Sequence, residues 1–213
     1  TAVQTIDDND AIKIVKNMES INNVIYITVG SETVNVDGSI WKCSDGLSDI
    51  PFVRIGGTPG ANYATGIAGG LNQTVFFGDS SGNIYSYALN TLVKSYSNIG
   101  VRINSIDVYS TTMIVGTGTS GRIYMINLET GDTLIIFDSS NTDIHHVHIK
   151  DSDLVTSPSE AELYCASSDS TIIYKANLDQ LDFVKSYNTS TNIISKLTNL
   201  TNMVFEQDQT ASV

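Results

Sequence analysis

All three histidines of the chain fall within four residues, His145-His146-Val147-His148. Alternation along a strand puts His146 and His148 on one face, where neutral imidazoles could ligate a metal in a central channel. A third ligand would still be needed, and Asp151 and Asp153 lie beyond the expected strand. The residues therefore favour hydrogen-bonded inner-strand histidines over a metal centre, and no metal or cofactor is expected.

Two glycine-rich segments match motifs of catalysis and nucleotide binding. Gly78-Asp79-Ser80-Ser81-Gly82 has the Gly-x-Ser-x-Gly spacing of a nucleophile elbow, which needs a helix after its turn. Gly116-Thr117-Gly118-Thr119-Ser120-Gly121 has the Gly-x-Gly-x-x-Gly spacing that admits a pyrophosphate to a helix N-terminus. Both run into strand-like segments, Asn83 to Leu89 and Arg122-Ile123-Tyr124-Met125-Ile126, so hairpin turns are expected instead. The acidic runs Asp7-Asp8-Asn9-Asp10 and Asp151-Ser152-Asp153 lack the glycine and distant Glu of a hand-type calcium loop. No catalytic residue is assigned.

The elements that would position these groups repeat. A turn pair leads into an Ile-aromatic segment at Gly38-Ser39-Ile40-Trp41, Gly82-Asn83-Ile84-Tyr85, Gly121-Arg122-Ile123-Tyr124 and Ser170-Thr171-Ile172-Ile173-Tyr174. Around each marker four short strands can be laid out. Unit one reads Ala11 to Val15, Asn23 to Val29, Ser39 to Cys43 and Pro51 to Ile55. Unit two reads Ala64 to Ala68, Thr74 to Gly78, Asn83 to Leu89 and Leu92 to Tyr96. Unit three reads Ile103 to Tyr109, Met113 to Gly116, Arg122 to Leu128 and Thr133 to Phe137. Unit four reads Ile144 to Lys150, Glu162 to Ala166, Thr171 to Leu178 and Leu181 to Tyr187. Ile193 to Leu197 and Met203 to Glu206 look like the first two strands of a fifth unit. Val93-Lys94-Ser95-Tyr96 returns as Val184-Lys185-Ser186-Tyr187, and Asn127-Leu128-Glu129-Thr130-Gly131 is echoed at Leu89-Asn90 and Asn177-Leu178-Asp179.

With these repeats the chain resembles the β-propeller superfamily, in particular quinoprotein-like and surface-layer-type blades with a Gly-x-Ile-Tyr strand and an Asn-Leu-x-Thr-Gly turn. It departs from tryptophan-aspartate repeats, having no Gly-His opening and no Trp-Asp close. A single Trp stands against the per-blade tryptophans of quinoprotein dehydrogenases. The resemblance implies an all-β single domain over 1-213, with units near 11-57, 62-100, 101-140 and 141-190 and a partial unit at 191-208. It would be five-bladed or a fragment of a larger propeller.

Eleven Lys and Arg against 23 Asp and Glu give a formal charge of −12, which repels a nucleic-acid backbone. No stretch reaches the roughly 20 apolar residues of a membrane span. Cys43 and Cys165 sit in different repeats, so a disulfide framework is not expected. Thr1 begins the chain without an initiator Met or a leader, which suggests a processed product or a fragment.

A fold of this kind does not choose its own function. The first expectation is a non-enzymatic module for protein-protein interaction or assembly, extracellular or in a phage or virus particle, where Ser, Thr and Asn are abundant. The second is a lectin-like propeller binding a carbohydrate or small ligand through equivalent pockets between blades; Tyr63, Tyr85, Tyr96, Tyr109 and Tyr187 could stack on sugars or partners, but most are expected to pack between blades. The third is a propeller lactonase or hydrolase with a channel metal at His146 and His148.

Overall fold

The structure, a computed structural model, describes residues 13–31, 37–43, 52–60, 63–96, 99–119, 121–138, 143–150, 161–167, 172–177 and 203–204. Four antiparallel four-stranded sheets follow one another along the chain, each built in sequence order. Blade 1 comprises β1 (Lys13–Ile21), β2 (Val24–Ser31), β3 (Gly38–Cys43) and β4 (Val53–Thr58). Blade 2 comprises β5 (Ala64–Gly69), β6 (Val75–Asp79), β7 (Ile84–Ala88) and β8 (Thr91–Tyr96). Blade 3 comprises β9 (Ile103–Tyr109), β10 (Thr112–Thr117), β11 (Arg122–Asn127) and β12 (Thr133–Asp138). Blade 4 comprises β13 (Ile144–Lys150), β14 (Glu162–Ser167), β15 (Ile172–Asn177) and β16 (Met203–Val204).

The Ile-aromatic marker sits on the third strand of each blade, and in blades 1 to 3 that strand is buried on both faces. Ile40, Ile84 and Ile123 are 0%, 0% and 2% exposed, and their neighbours Trp41, Tyr85 and Tyr124 are buried as well. Alternating residues point to opposite faces, so adjacent buried residues fill two different blade interfaces. Ile84 joins Phe76 of its own blade and Ile103, Met113 and Tyr124 of blade 3. Tyr85 and Phe77 turn the other way, onto Tyr26 and Ile40 of blade 1. Ile114, Met125, Val147 and Leu163 form the interface between blades 3 and 4. A fully buried side chain of this size contributes about 1.5–3 kcal/mol, so these three interfaces hold the sheets together.

The second strands carry a device that the marker does not reveal. Gly78 and Gly116 occupy matching places opposite the marker residues Ile84 and Ile123, Ala166 holds the place in blade 4 opposite Ile173, and Thr28 holds it in blade 1 opposite Ile40. A Cβ on Gly78 would drive into Ile103, and one on Gly116 would meet Ile144 Cγ2 at 2.8 Å. Gly30, two residues beyond Thr28 on β2, is likewise pressed by the Tyr63 ring. Small residues here let the start of the next inner strand press against the blade.

Two bulges recur. On the outer pair, Ile40 faces Gly56 while Trp41 faces Arg54, and the same skip follows Ile84 and Ile123. On the inner pair every first strand carries one extra residue: Lys16 in β1, one in the Thr65-Gly66 step of β5, Asn104 in β9 and His145 in β13. A bulge adds twist and re-aims the extra side chain.

The structure corrects two strand assignments. The inner strand of blade 1 runs on to Ile21, six residues past the expected Val15. The polar run Lys16-Asn17-Met18-Glu19-Ser20 hid it, although its partners in β2 continue to the Asn22-Asn23 turn, whose φ values of 52° and 62° close a tight hairpin. Met203–Val204 is not in a fifth unit: it pairs with Ile173 and Ile172 as the outermost strand of blade 4. An outer strand needs only one neighbour, so a segment this short fills the position. The expected strands Leu181 to Tyr187 and Ile193 to Leu197 lie outside the described residues, as do both acidic runs.

Candidate functional site

Residues on or beside the four inner strands line an open axial cavity of about 470 Å³. Blade 1 contributes Lys16 and Asn17, and blade 2 contributes Tyr63 and Thr65. Blade 3 adds Arg102 and Asn104, and blade 4 adds His145 and His146. Each strand thus presents its bulge, or the residue beside it, to one space. The bulged backbone supplies the direction while the residue type is left to vary.

Two of the bulge side chains tie successive inner strands together. Thr65 Oγ1 donates to Ile103 O at 2.5 Å, and Asn104 Nδ2 donates to Ile144 O at 2.9 Å, each reaching the next inner strand. Arg102 is also committed: Nε donates to Asn104 Oδ1 at 2.9 Å and Nη2 pairs with Asp143 at 2.6 Å. Asp143 in turn accepts from Thr119 N, tying the β10–β11 loop of blade 3 to the entry of blade 4. Lys16 and His145 differ. Lys16 Nζ lies 4.4 Å from the centre of the Tyr63 ring and has no carboxylate partner among the described residues. His145 is exposed and has no hydrogen-bond partner among the described residues.

His146 and His148 both turn toward blade 3. His146 Nδ1 lies 3.4 Å from Ser105 Oγ, and His148 Nδ1 lies 3.1 Å from Asp107 Oδ2. The same two groups accept from backbone N–H groups of β13, Ser105 from Val147 at 3.2 Å and Asp107 from Ile149 at 2.7 Å. The histidines therefore sit on separate supports, His146 at the cavity and His148 beyond its lining. Among the described residues no three His, Cys, Asp or Glu groups gather to share a metal.

The Gly78-Gly82 segment is the β6–β7 hairpin, and its chemistry centres on the carboxylate. Asp79 is fully buried and accepts from Ser81 N, Asn83 N and Asn83 Nδ2 at 2.8–2.9 Å and from Tyr85 OH at 3.1 Å. Burial, then the charge and hydrogen bond of Asp79, push the Tyr85 phenol far above its ordinary value. Ser80 Oγ accepts from Tyr63 N at 3.3 Å and Ser81 Oγ donates to Gly60 O at 3.2 Å, so both hydroxyls brace the loop. In the Gly-x-Gly-x-x-Gly segment Thr117 Oγ1 donates to Arg122 O and accepts from Arg122 N, closing a turn that β11 follows. Cys43 and Cys165 are buried thiols in blades 1 and 4, and burial raises the Cys165 pKa.

A second cavity, of about 380 Å³, opens between blades 1 and 2 at the end carrying the β1–β2, β5–β6 and β7–β8 turns. At its wall Lys42 Nζ donates to Tyr87 OH at 2.8 Å and to Asn90 Oδ1 at 3.0 Å. Its rim carries Leu89, 98% exposed, in the β7–β8 turn at a φ of +50°. Asn72 and Gln73 line the cavity from the β5–β6 turn. Apart from Leu89-Asn90 as a blade turn, no residue pattern pointed to this site.

No family model matches the chain, and no curated protein matches it. Solved structures do. A chain of a nidogen/laminin complex superposes with a TM-score of 0.60 over 78% of this chain and 61% of its own, at 15% identity. Sqt1 of Saccharomyces cerevisiae gives 0.55 over 79% of this chain and 46% of its own, also at 15% identity. The computationally designed Ika4 protein gives 0.54 over 81% and 95%, at 12% identity. The chain thus spans less than two thirds of the nidogen/laminin chain and under half of Sqt1. At such identities the likeness carries the fold, and the fold is a β-propeller.

Proposed function

We propose that this propeller is a non-enzymatic interaction module whose turn face between blades 1 and 2 docks a protein partner. The observation that carries the reading is Leu89. A bulky side chain at positive φ costs about 1–2 kcal/mol, and here it faces water as well. Asn or Gly would suit the turn on both counts. A residue that breaks two local rules without a gain inside the fold points to a gain outside it. Around it the same cavity offers Ile21 and Val24 as apolar contacts and Lys42, Tyr87 and Asn90 as polar contacts, the mix of apolar anchor and polar rim found where proteins meet. The fold it shares with a chain of a nidogen/laminin complex supports the reading, and the Ser, Thr and Asn content favours a particle or cell surface as its setting.

Repeated lectin pockets are less well supported, because the Lys42 and Tyr87 pair is replaced by Ser86 and Ile126 at the next blade interface. The test is Leu89→Asn. The variant should be more stable than the parent by about 1 kcal/mol in denaturant unfolding, yet lose the partner that the parent retains through size-exclusion of source material. Equal retention by both chains, or a parent isolated from source as a bare monomer, would sink the idea.

A further inference from the structure

The axial cavity is lined by donors. Arg102 is neutralised by Asp143, and Asn104 and Thr65 are held by neighbouring strands. What remains open to the space is the Lys16 ammonium, the His145 imidazole, His146 Nε2 and the Asn17 amide, whose Oδ1 already accepts from Met18 N at 2.8 Å. No carboxylate lines the cavity among the described residues, although acids outnumber bases two to one in the chain. Bulges are the means by which β1 and β13 deliver Lys16 and His145 here, against the regular alternation of their strands. Donors gathered around a positive charge with no matching acceptor suit an anion and oppose a cation.

We propose that this cavity binds a small organic carboxylate, with Lys16 as the charge partner and His145, His146 and Asn17 as hydrogen-bond donors. A volume of about 470 Å³ admits a molecule of metabolite size rather than a bare ion. The net charge of −12 penalises a doubly charged anion more than a singly charged one, which selects a carboxylate over a phosphate.

The test is an NMR titration of the full chain with sodium benzoate, its uncharged twin benzamide, and inorganic phosphate, at constant ionic strength. Benzoate should give saturable shifts at His145, His146 and Lys16 Nζ, benzamide none there, and phosphate weaker binding. Lys16→Gln should weaken benzoate about fivefold while the amide spectrum of the blade interfaces stays unchanged. His145→Gln, a second variant at an exposed site, should weaken it by a smaller factor. Equal shifts from benzamide, shifts that never saturate, tighter binding of phosphate, or unchanged affinity in Lys16→Gln would each overturn the proposal.

Discussion

Two sets of repeated positions behave in opposite ways. On the third strands Ile40, Ile84 and Ile123 recur with an aromatic beside each, whereas the inner-strand bulges present Lys16, Asn104 and His145, with Thr65 filling the same role in β5. The first set is buried against neighbouring blades, and close packing tolerates little change in shape. The second set faces a cavity, where the backbone bulge fixes a direction and leaves the chemistry open. Repetition in this molecule therefore reports packing, and departure from repetition marks the places where binding can be built.

The sharpest way to break this contrast is to attack the packed set. Phe77 is fully buried between blades 1 and 2, and Phe77→Ala should cost about 3–5 kcal/mol in denaturant unfolding. Gly78→Val beside it should cost about 1–3 kcal/mol by forcing Ile103 away. Losses under about 1 kcal/mol in both would show that the blade interfaces are loose, and the contrast with the cavity would vanish.

Asp79 comes next, because its buried carboxylate is satisfied by four donors of its own hairpin. Asp79→Ala should cost roughly 2–3 kcal/mol, leaving Asn83 and Tyr85 with unmet donors in the core. The pH dependence separates Tyr85 from this sum. Its folded pKa lies above the unfolded value near 10, so the fold holds the phenolic proton more tightly than the open chain does. That contribution is complete below pH about 10 and is lost as pH rises through the higher folded value. Tyr85→Phe should flatten the alkaline fall of stability relative to the parent, by up to about 1.4 kcal/mol per pH unit. Tyr26 and Cys165 shift in the same direction and remain in both chains, so the difference isolates Tyr85.

The propeller was legible in the sequence because burial on both faces forces recurrent apolar pairs such as Ile84-Tyr85 and Ile123-Tyr124. Its strands in blades 2 and 3 fall within about two residues of the expected ones. The site was not legible. Lys16 and Asn17 lie in a polar run that reads as loop, and a one-residue bulge leaves no mark in composition. Only their partners in β2 show that Asn17 faces Thr28 with Lys16 left over. The histidine cluster did point to the right strand, but alternation without the bulge puts His146 and His148 together and omits His145, which is the one that joins His146 at the cavity. Arg102 stood among scattered basic residues with nothing to single it out.

The smallest expected effects divide the cavity itself. Thr65 and Asn104 bond to the next inner strand, so Thr65→Ala and Asn104→Ala should each cost about 1 kcal/mol. Lys16→Ala and His145→Ala remove no hydrogen bond within the described residues and should stay within about 0.5 kcal/mol of the parent. Thermal unfolding of the four single variants under one buffer checks the split. If all four cost the same, the bulges serve only to brace the ring. A difference between the two pairs means that blades 2 and 3 use the bulge to hold their neighbours, while blades 1 and 4 use the same backbone device to keep two polar side chains in reserve for whatever enters the axis.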